Sequence, residues 1–345
     1  MLADILAAAT PSVVPAAVAV IAVDGEVVAA EAAGELVRYS DPDGTLAPVR
    51  PPARRDSIFD LASISKLFTT SVILSLVVEG RLDLDAPVAR WLPAFYTDRR
   101  RITLRHLLTH TAGLQPTHRV DHVPPAERLD TILATPITSA VGGPYLYTDV
   151  GMVTVGRIAE VAGEAPLDEL VRTRVTAPLG LTDTGYRRLR VSGEPGPVPA
   201  DFSRIAKTEC HRAIGEVHDE TAHSLGGVAG HAGVFSTADD VLRFGEALRL
   251  GHLPLNGEMT RDHGVEGAPF RHGLGVRIGD PAVVGPLTDA FGHSGFTGTS
   301  LVVDPVHRLT VVLLTNAVHP VRGRPGIREL RHAVAAEALR IGSPS

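Results

Sequence analysis

The sequence of 345 residues holds one cysteine, Cys210, which excludes an intrachain disulfide and a cysteine-rich zinc site. Lysine is almost as scarce: Lys66 and Lys207 are the only two, and the other 31 of the 33 basic residues are arginine. No basic residue precedes Arg38, so the positive start of a secretory signal is missing. The longest apolar stretch, 13–23, is broken by Pro15 and closed by Asp24-Gly25, well short of the ~20 residues that cross a bilayer. These absences predict a soluble, cytoplasmic chain with no membrane partner. Acidic residues outnumber basic ones 39 to 33, a net charge of -6, and a phosphate-binding surface needs the opposite balance, so nucleic acid is not an expected partner. The Gly-x-Ser-x-Gly elbow of the α/β-hydrolases is absent. So is His-Glu-x-x-His among the fifteen histidines, although His106 and His110 are four apart, and no metal or other cofactor is expected.

What is present describes a folded core, with 44% hydrophobic and 21% charged residues. Asp24-Gly25 lies between two apolar runs over 14–33, the pattern of a β-hairpin. From residue 63 a long run without proline ends at Gly80 and predicts a buried helix. Further helices are predicted over 104–110, 150–162 and 167–175, after a cap at Thr237, and over 326–340. Strands are predicted over 273–278, 298–303 and 309–315, and Pro- and Gly-rich loops over 115–125 and 192–199. Strand signals at both ends with helices between them imply a sheet built from the two termini: one unit of 1–62 with 240–345, and a mostly helical unit of 63–239, with a cleft between them.

This chain uses arginine wherever a positive charge suffices, so a retained lysine either marks a place where arginine fails or is retained by chance, and its neighbours decide between the two. Lys66 lies three residues after Ser63, so on a helix hydroxyl and amine share one face, and a helix N-terminus offers free N–H groups to a developing oxyanion. Tyr147, one of five tyrosines, stands between the turn Gly142-Gly143-Pro144 and a predicted helix. Gly292-His293-Ser294-Gly295-Phe296-Thr297-Gly298 is a glycine-dense entry to a strand that lets a ligand approach the backbone.

Ser63-x-x-Lys66, Tyr147-x-Asp149 and His293-x-Gly295 stand in the order of the serine β-lactamases and penicillin-binding proteins, and the sequence resembles the class C esterase and transacylase branch. Phe59-Asp60-Leu61-Ala62-Ser63, His106 to Leu114 and Leu313-Leu314-Thr315-Asn316 extend the resemblance over nearly the whole chain. It implies an α/β (α+β) fold with an antiparallel sheet flanked by helices and a mostly helical inserted domain. It further implies that Ser63 is acylated, that Lys66 and Tyr147 share proton transfer, and that the backbone N–H groups of Ser63 and Phe296 form the oxyanion hole. Asp149, His293 and Gly295 would meet the substrate, and His218 and His231 are candidates for the cleft wall.

Two departures shape the expected chemistry. Asp149 replaces the usual Asn, and a carboxylate near Lys66 favours the ammonium and moves the base role towards Tyr147. His293 replaces the usual Lys and is a weaker anchor for a substrate carboxylate. The expectation is therefore an esterase acting on neutral small-molecule acyl donors. A transacylase that passes the acyl group to an amine or alcohol is the alternative. A β-lactamase, a D-amino-acid peptidase and a non-catalytic binding protein are further ones.

Overall fold

Asp24 and Gly25 adopt φ of 52° and 84°, the two positive values that a tight hairpin turn requires, so β1 (Ala16–Val23) and β2 (Glu26–Gly34) fold back on one another. The computed structural model describes residues 1–189 and 202–342; the loop predicted over 192–199 lies outside them. The remaining strands are β3 (Phe59–Asp60), β4 (Gly185–Tyr186), β5 (Val234–Ser236), β6 (Arg271–His272), β7 (Arg277–Ile278), β8 (Phe291–Ser294), β9 (Ser300–Asp304) and β10 (Leu309–Thr315). The first half of the chain holds the helices α1 (Leu2–Ala9), α2 (Ser65–Val78), α3 (Pro93–Tyr96), α4 (Leu104–Leu108), α5 (Arg128–Leu133), α6 (Asp149–Gly163) and α7 (Leu167–Val171). They are followed by α8 (Glu220–Ser224), α9 (Ala238–Arg249), α10 (Asn256–Thr260), α11 (Pro281–Val284) and α12 (Ile327–Gly342).

Seven strands form an antiparallel sheet in the order β2-β1-β10-β9-β8-β7-β6, so the first and last strands of the chain lie side by side, with Val20 opposite Val312. Alternation along β1 explains why both faces are covered. Ala16, Val18, Val20 and Ala22 enter the large core shared with α2 and α9, whereas Ala17, Ala19 and Ile21 pack with Leu2 and Leu6 of α1 and Val334 and Ala338 of α12. An antiparallel sheet built from both chain termini and flanked by helices is the arrangement the sequence implied. No helix among the described residues is long and apolar enough to cross a membrane.

Several boundaries differ from the predicted ones. The single strand predicted over 273–278 is two short strands, β6 and β7, because Gly275 turns the chain at φ 70° and Gly273 donates its N–H to the Val276 carbonyl. The helix over 167–175 leaves α-geometry after Val171 and continues as a π-turn, Arg172–Thr176. A helix not predicted, α1, buries Leu2 and Leu6, four residues apart on one face. A second, three-stranded sheet, β3-β5-β4, carries the chain into α2 and sets the position of the site.

Candidate active site

Ser63 lies in a single 3-10 turn, Ala62–Ile64, that feeds α2. The turn begins at Ala62 with φ 47°, a conformation that costs an L-residue free energy. The carboxylate of Asp60 holds it there, accepting the Ala62 N–H at 2.8 Å on one oxygen and the His218 N–H at 2.7 Å on the other. The loop after β8 is fixed to the same segment: the Thr297 hydroxyl donates to the Asp60 carbonyl at 2.7 Å and the Thr299 hydroxyl to the Leu61 carbonyl at 3.1 Å. Gly295 has no alternative here, since a Cβ would fall 2.1 Å from Thr299 Oγ1 and 2.4 Å from the Leu61 carbonyl oxygen. The backbones of Ser63 and Phe296 are thus carried on one cross-braced frame.

Lys66 follows three residues later and its side chain is 0% exposed. Its Nζ donates to Ser63 Oγ at 2.9 Å and to the His231 carbonyl at 3.3 Å, and lies 2.8 Å from Asp149 Oδ1. Burial works against the charge, but Asp149 and Tyr147 outweigh it and hold the Lys66 pKa above the ordinary lysine value. Three oxygens around one nitrogen match the three donors of an ammonium. Tyr147 is placed by the cap of α6: the Thr148 hydroxyl accepts the Gly151 N–H at 3.1 Å and donates to the Gln115 carbonyl at 2.7 Å. From there the Tyr147 hydroxyl donates to Ser63 Oγ at 3.0 Å. Lys66 Nζ and the Arg277 guanidinium lie over the tyrosine ring, 4.9 Å and 5.1 Å from its centroid.

The structure brings Ser63, Lys66, Tyr147 and Asp149 together. Ser63 and Tyr147 open into a cavity of about 410 Å³ whose other walls include Gly295, Phe296, Arg277 and Arg331. His293 does not reach that cavity in the manner expected of a substrate anchor. Its ring is buried, its Nδ1–H donates to the Ser294 carbonyl at 2.8 Å, and burial followed by the nearby charges of Arg277 and Lys66 holds its pKa well below the ordinary histidine value. The cations on this wall are instead Arg277, ion-paired with Asp280 Oδ2 at 3.0 Å, and Arg331, neither of which stood out among the 31 arginines of the sequence. Arg331 binds the Gly295 and Thr299 carbonyls at 2.9 and 3.1 Å, and burial, then repulsion from Arg277, lowers its pKa to about 10. The Nε atoms of both arginines are buried without a partner.

His218 lies behind Phe296, its ring stacked on the phenyl at 5.6 Å, with Nε2 2.7 Å from Glu209 Oε2. Phe296 itself is 62% exposed at the rim. His231 is buried with Nε2 2.7 Å from Asp219 Oδ1. Among the described residues Asp149, Asp219 and His231 form the one trio with a metal-compatible spread, but each carboxylate is already partnered, Asp149 by Lys66 and Asp219 by His231, and the trio does not read as a metal site. Asp60 and Asp219 were missed as candidates, although Asp60 stands in a stretch that carries the sequence resemblance and Asp219 directly follows His218. A second cavity, about 320 Å³, lies between α6 and α8 beside Val153, Arg157 and Leu225, away from Ser63.

The Beta-lactamase family profile matches residues 6–336. A putative D-alanyl-D-alanine carboxypeptidase of Escherichia coli (strain K12) is 31% identical over 338 residues, covering 86% of this chain and 77% of the relative. Among solved structures, EstCE1, described as a hydrolase with promiscuous acyltransferase activity, superposes with TM-score 0.69 at 25% identity, over 96% of this chain and 97% of its own. A D-stereospecific amidohydrolase from Streptomyces superposes with TM-score 0.68 at 26% identity, over 91% of this chain and 93% of its own.

Proposed function

The chain belongs to the beta-lactamase family of enzymes, and from that premise we propose that it is a serine hydrolase working through an acyl-serine intermediate on Ser63. The observation that carries the reading is the placement of Ser63 Oγ, at a cavity wall, between Lys66 Nζ at 2.9 Å and the Tyr147 hydroxyl at 3.0 Å. Lys66 acts as a fixed cation. Tyr147 oxygen, once deprotonated, takes the Ser63 proton as Oγ bonds to the carbonyl carbon, and the cations over its ring stabilise the negative charge passing through it. The Ser63 and Phe296 N–H groups hold the oxyanion. As the tetrahedral species collapses, the bond to the leaving group breaks and Tyr147 returns its proton to that group. Water then repeats the sequence in reverse and frees the acid.

The acyl donor is an ester or amide that carries a carboxylate. The expectation of neutral donors rested on His293 and Asp149; the His293 imidazole is buried, the Asp149 carboxylate is paired with Lys66, and the guanidiniums of Arg331 and of the Asp280-paired Arg277 line the cavity. The names of the carboxypeptidase relatives and the amidohydrolase neighbour support the same chemistry. Transfer to an amine or alcohol is the second reading, supported by EstCE1, which is described as having promiscuous acyltransferase activity. A fluorophosphonate probe should add one label, located by mass spectrometry on Ser63. A donor with a free carboxylate should acylate the enzyme ten- to a hundred-fold faster than its amide-capped form, the value of one charge-assisted contact of about 1.5–3 kcal/mol. A label elsewhere, or equal rates for the two donors, overturns the respective half of the proposal.

A further inference from the structure

Lys66 has a neighbour that acyl transfer does not require. The carbonyl oxygen that accepts its Nζ–H belongs to His231, whose ring is buried and bound to the Asp219 carboxylate at 2.7 Å. Ligand-forming atoms of Asp149, Asp219 and His231 all lie within 4.8 Å of one another, so the Lys66–Asp149 pair abuts the His231–Asp219 pair. The charged groups that face the imidazole are Asp219 from the cap of α8, Asp149 from the start of α6 and Lys66 from α2.

The imidazole is not what shapes its own turn. Gly230 is fixed by packing, since a Cβ there would fall 2.0 Å from the Met152 carbonyl oxygen, and Ala229 bridges Ala232 across the turn. Asp219 has a structural duty that an uncharged Asn would serve equally, accepting the Ala222 N–H at 2.8 Å as the cap of α8. Burying an imidazole against a carboxylate costs desolvation on both sides, which an apolar side chain would avoid. What the pair adds is a balanced ion pair at the back of Lys66.

We propose that His231 and Asp219 form a positioning ion pair for Lys66, in which the imidazolium balances a carboxylate that would otherwise crowd the Lys66–Asp149 pair with uncompensated negative charge. The His231 carbonyl, held by its turn, takes the third Nζ–H and leaves the other two for Ser63 and Asp149. Burial works against protonation of the ring, but Asp219 outweighs it by charge and hydrogen bond, followed by Asp149, and raises the His231 pKa above its ordinary 6.5. The same contact holds the Asp219 carboxyl below the usual range.

The inference rests on the acyl-serine reading, and its test separates the two. His231→Gln removes a cation and leaves Asp219 unbalanced, so loss of the proton from the Ser63–Tyr147 pair becomes harder. The ascending limb of acylation rate against pH should then move up by about one unit, with a fall of about ten-fold on that limb. Adding Asp219→Asn removes the stray charge, and the double variant should return towards the wild-type limb. An unmoved limb in His231→Gln, or a double variant no closer to wild type than the single one, overturns the proposal. Nitrogen NMR of the wild-type ring provides a reading that does not depend on activity: His231 should carry both protons at pH 6.5, and a neutral ring there also overturns it. Failure of Ser63 to take any label in wild type would sink the catalytic reading instead, and the NMR result would not change.

Discussion

At Lys66 three contacts leave no room for a different cation. A guanidinium is planar, longer and cannot point three donors at Ser63 Oγ, Asp149 and the His231 carbonyl from a site where the lysine is 0% exposed. Lys66→Arg should therefore lose ~10²-fold or more in acylation rate while keeping its charge. Stopped-flow acylation by an activated ester checks this, and near-normal rates would show that charge alone suffices. This residue was legible because the chain is so poor in lysine. His293 misled for the opposite reason: a motif position identifies a residue type but not whether the ring faces substrate, and here it turns to the Ser294 carbonyl. Arg277 and Arg331 could not be singled out, since nothing local distinguishes them from the other arginines until β7 and α12 converge on the cavity.

Elements show the same division between what local sequence carries and what only packing decides. β1, β2, α2, α9 and β10 were readable because each extends over seven residues or more, and several are bounded by recognisable turn and cap residues such as Asp24-Gly25 and Thr237, whose hydroxyl accepts the Asp240 N–H at 3.4 Å. β3 and β4 are two residues each, too short for any period, and exist because β5 lies between them. The segment around 205–220 is held by backbone bonds at its start, such as the Lys207 N–H to the Leu36 carbonyl at 2.9 Å, and by side chains further on. Glu209 binds His218 Nε2 at 2.7 Å and Arg322 Nε at 3.1 Å, tying this segment to the chain after β10. Burial works against its charge, but Arg322 and His218 outweigh it and bring the Glu209 pKa from 4.5 to about 2. A carboxylate with a depressed folded-state pKa stabilises fully above its unfolded value, and that stability is lost as pH falls through the folded one. Wild type should thus lose melting temperature between pH 4.5 and about 2 more steeply than Glu209→Gln. Parallel acid-side slopes in differential scanning calorimetry would show that the tie carries no net stability.

For the whole molecule, the decisive fact is that the two halves of the cavity wall arrive from different parts of the chain. Ser63 and Tyr147 come from the region between the terminal strands, whereas Gly295, Phe296 and Arg331 come with β8 and α12 of the main sheet. That sheet exists only when β1 pairs with β10, almost three hundred residues later, as the register of Ala17 with Thr315 shows. Such long-range pairing closes late and at a high entropic cost, so no isolated half should hold a working site. Leu314 lies on β10 opposite Val18, fully buried in the core that also contains Leu67 and Phe68 of α2. Truncation to alanine leaves a cavity at the junction of sheet and nucleophile helix and should cost about 2–5 kcal/mol. Because sheet and site are one cooperative unit, Leu314→Ala should lose far-UV circular dichroism and fluorophosphonate labelling of Ser63 at the same urea concentration, lower than in wild type. Labelling that survived after the sheet signal had gone would mean that the nucleophile is organised by its own helical region, without the wall that Phe296 and Arg331 supply.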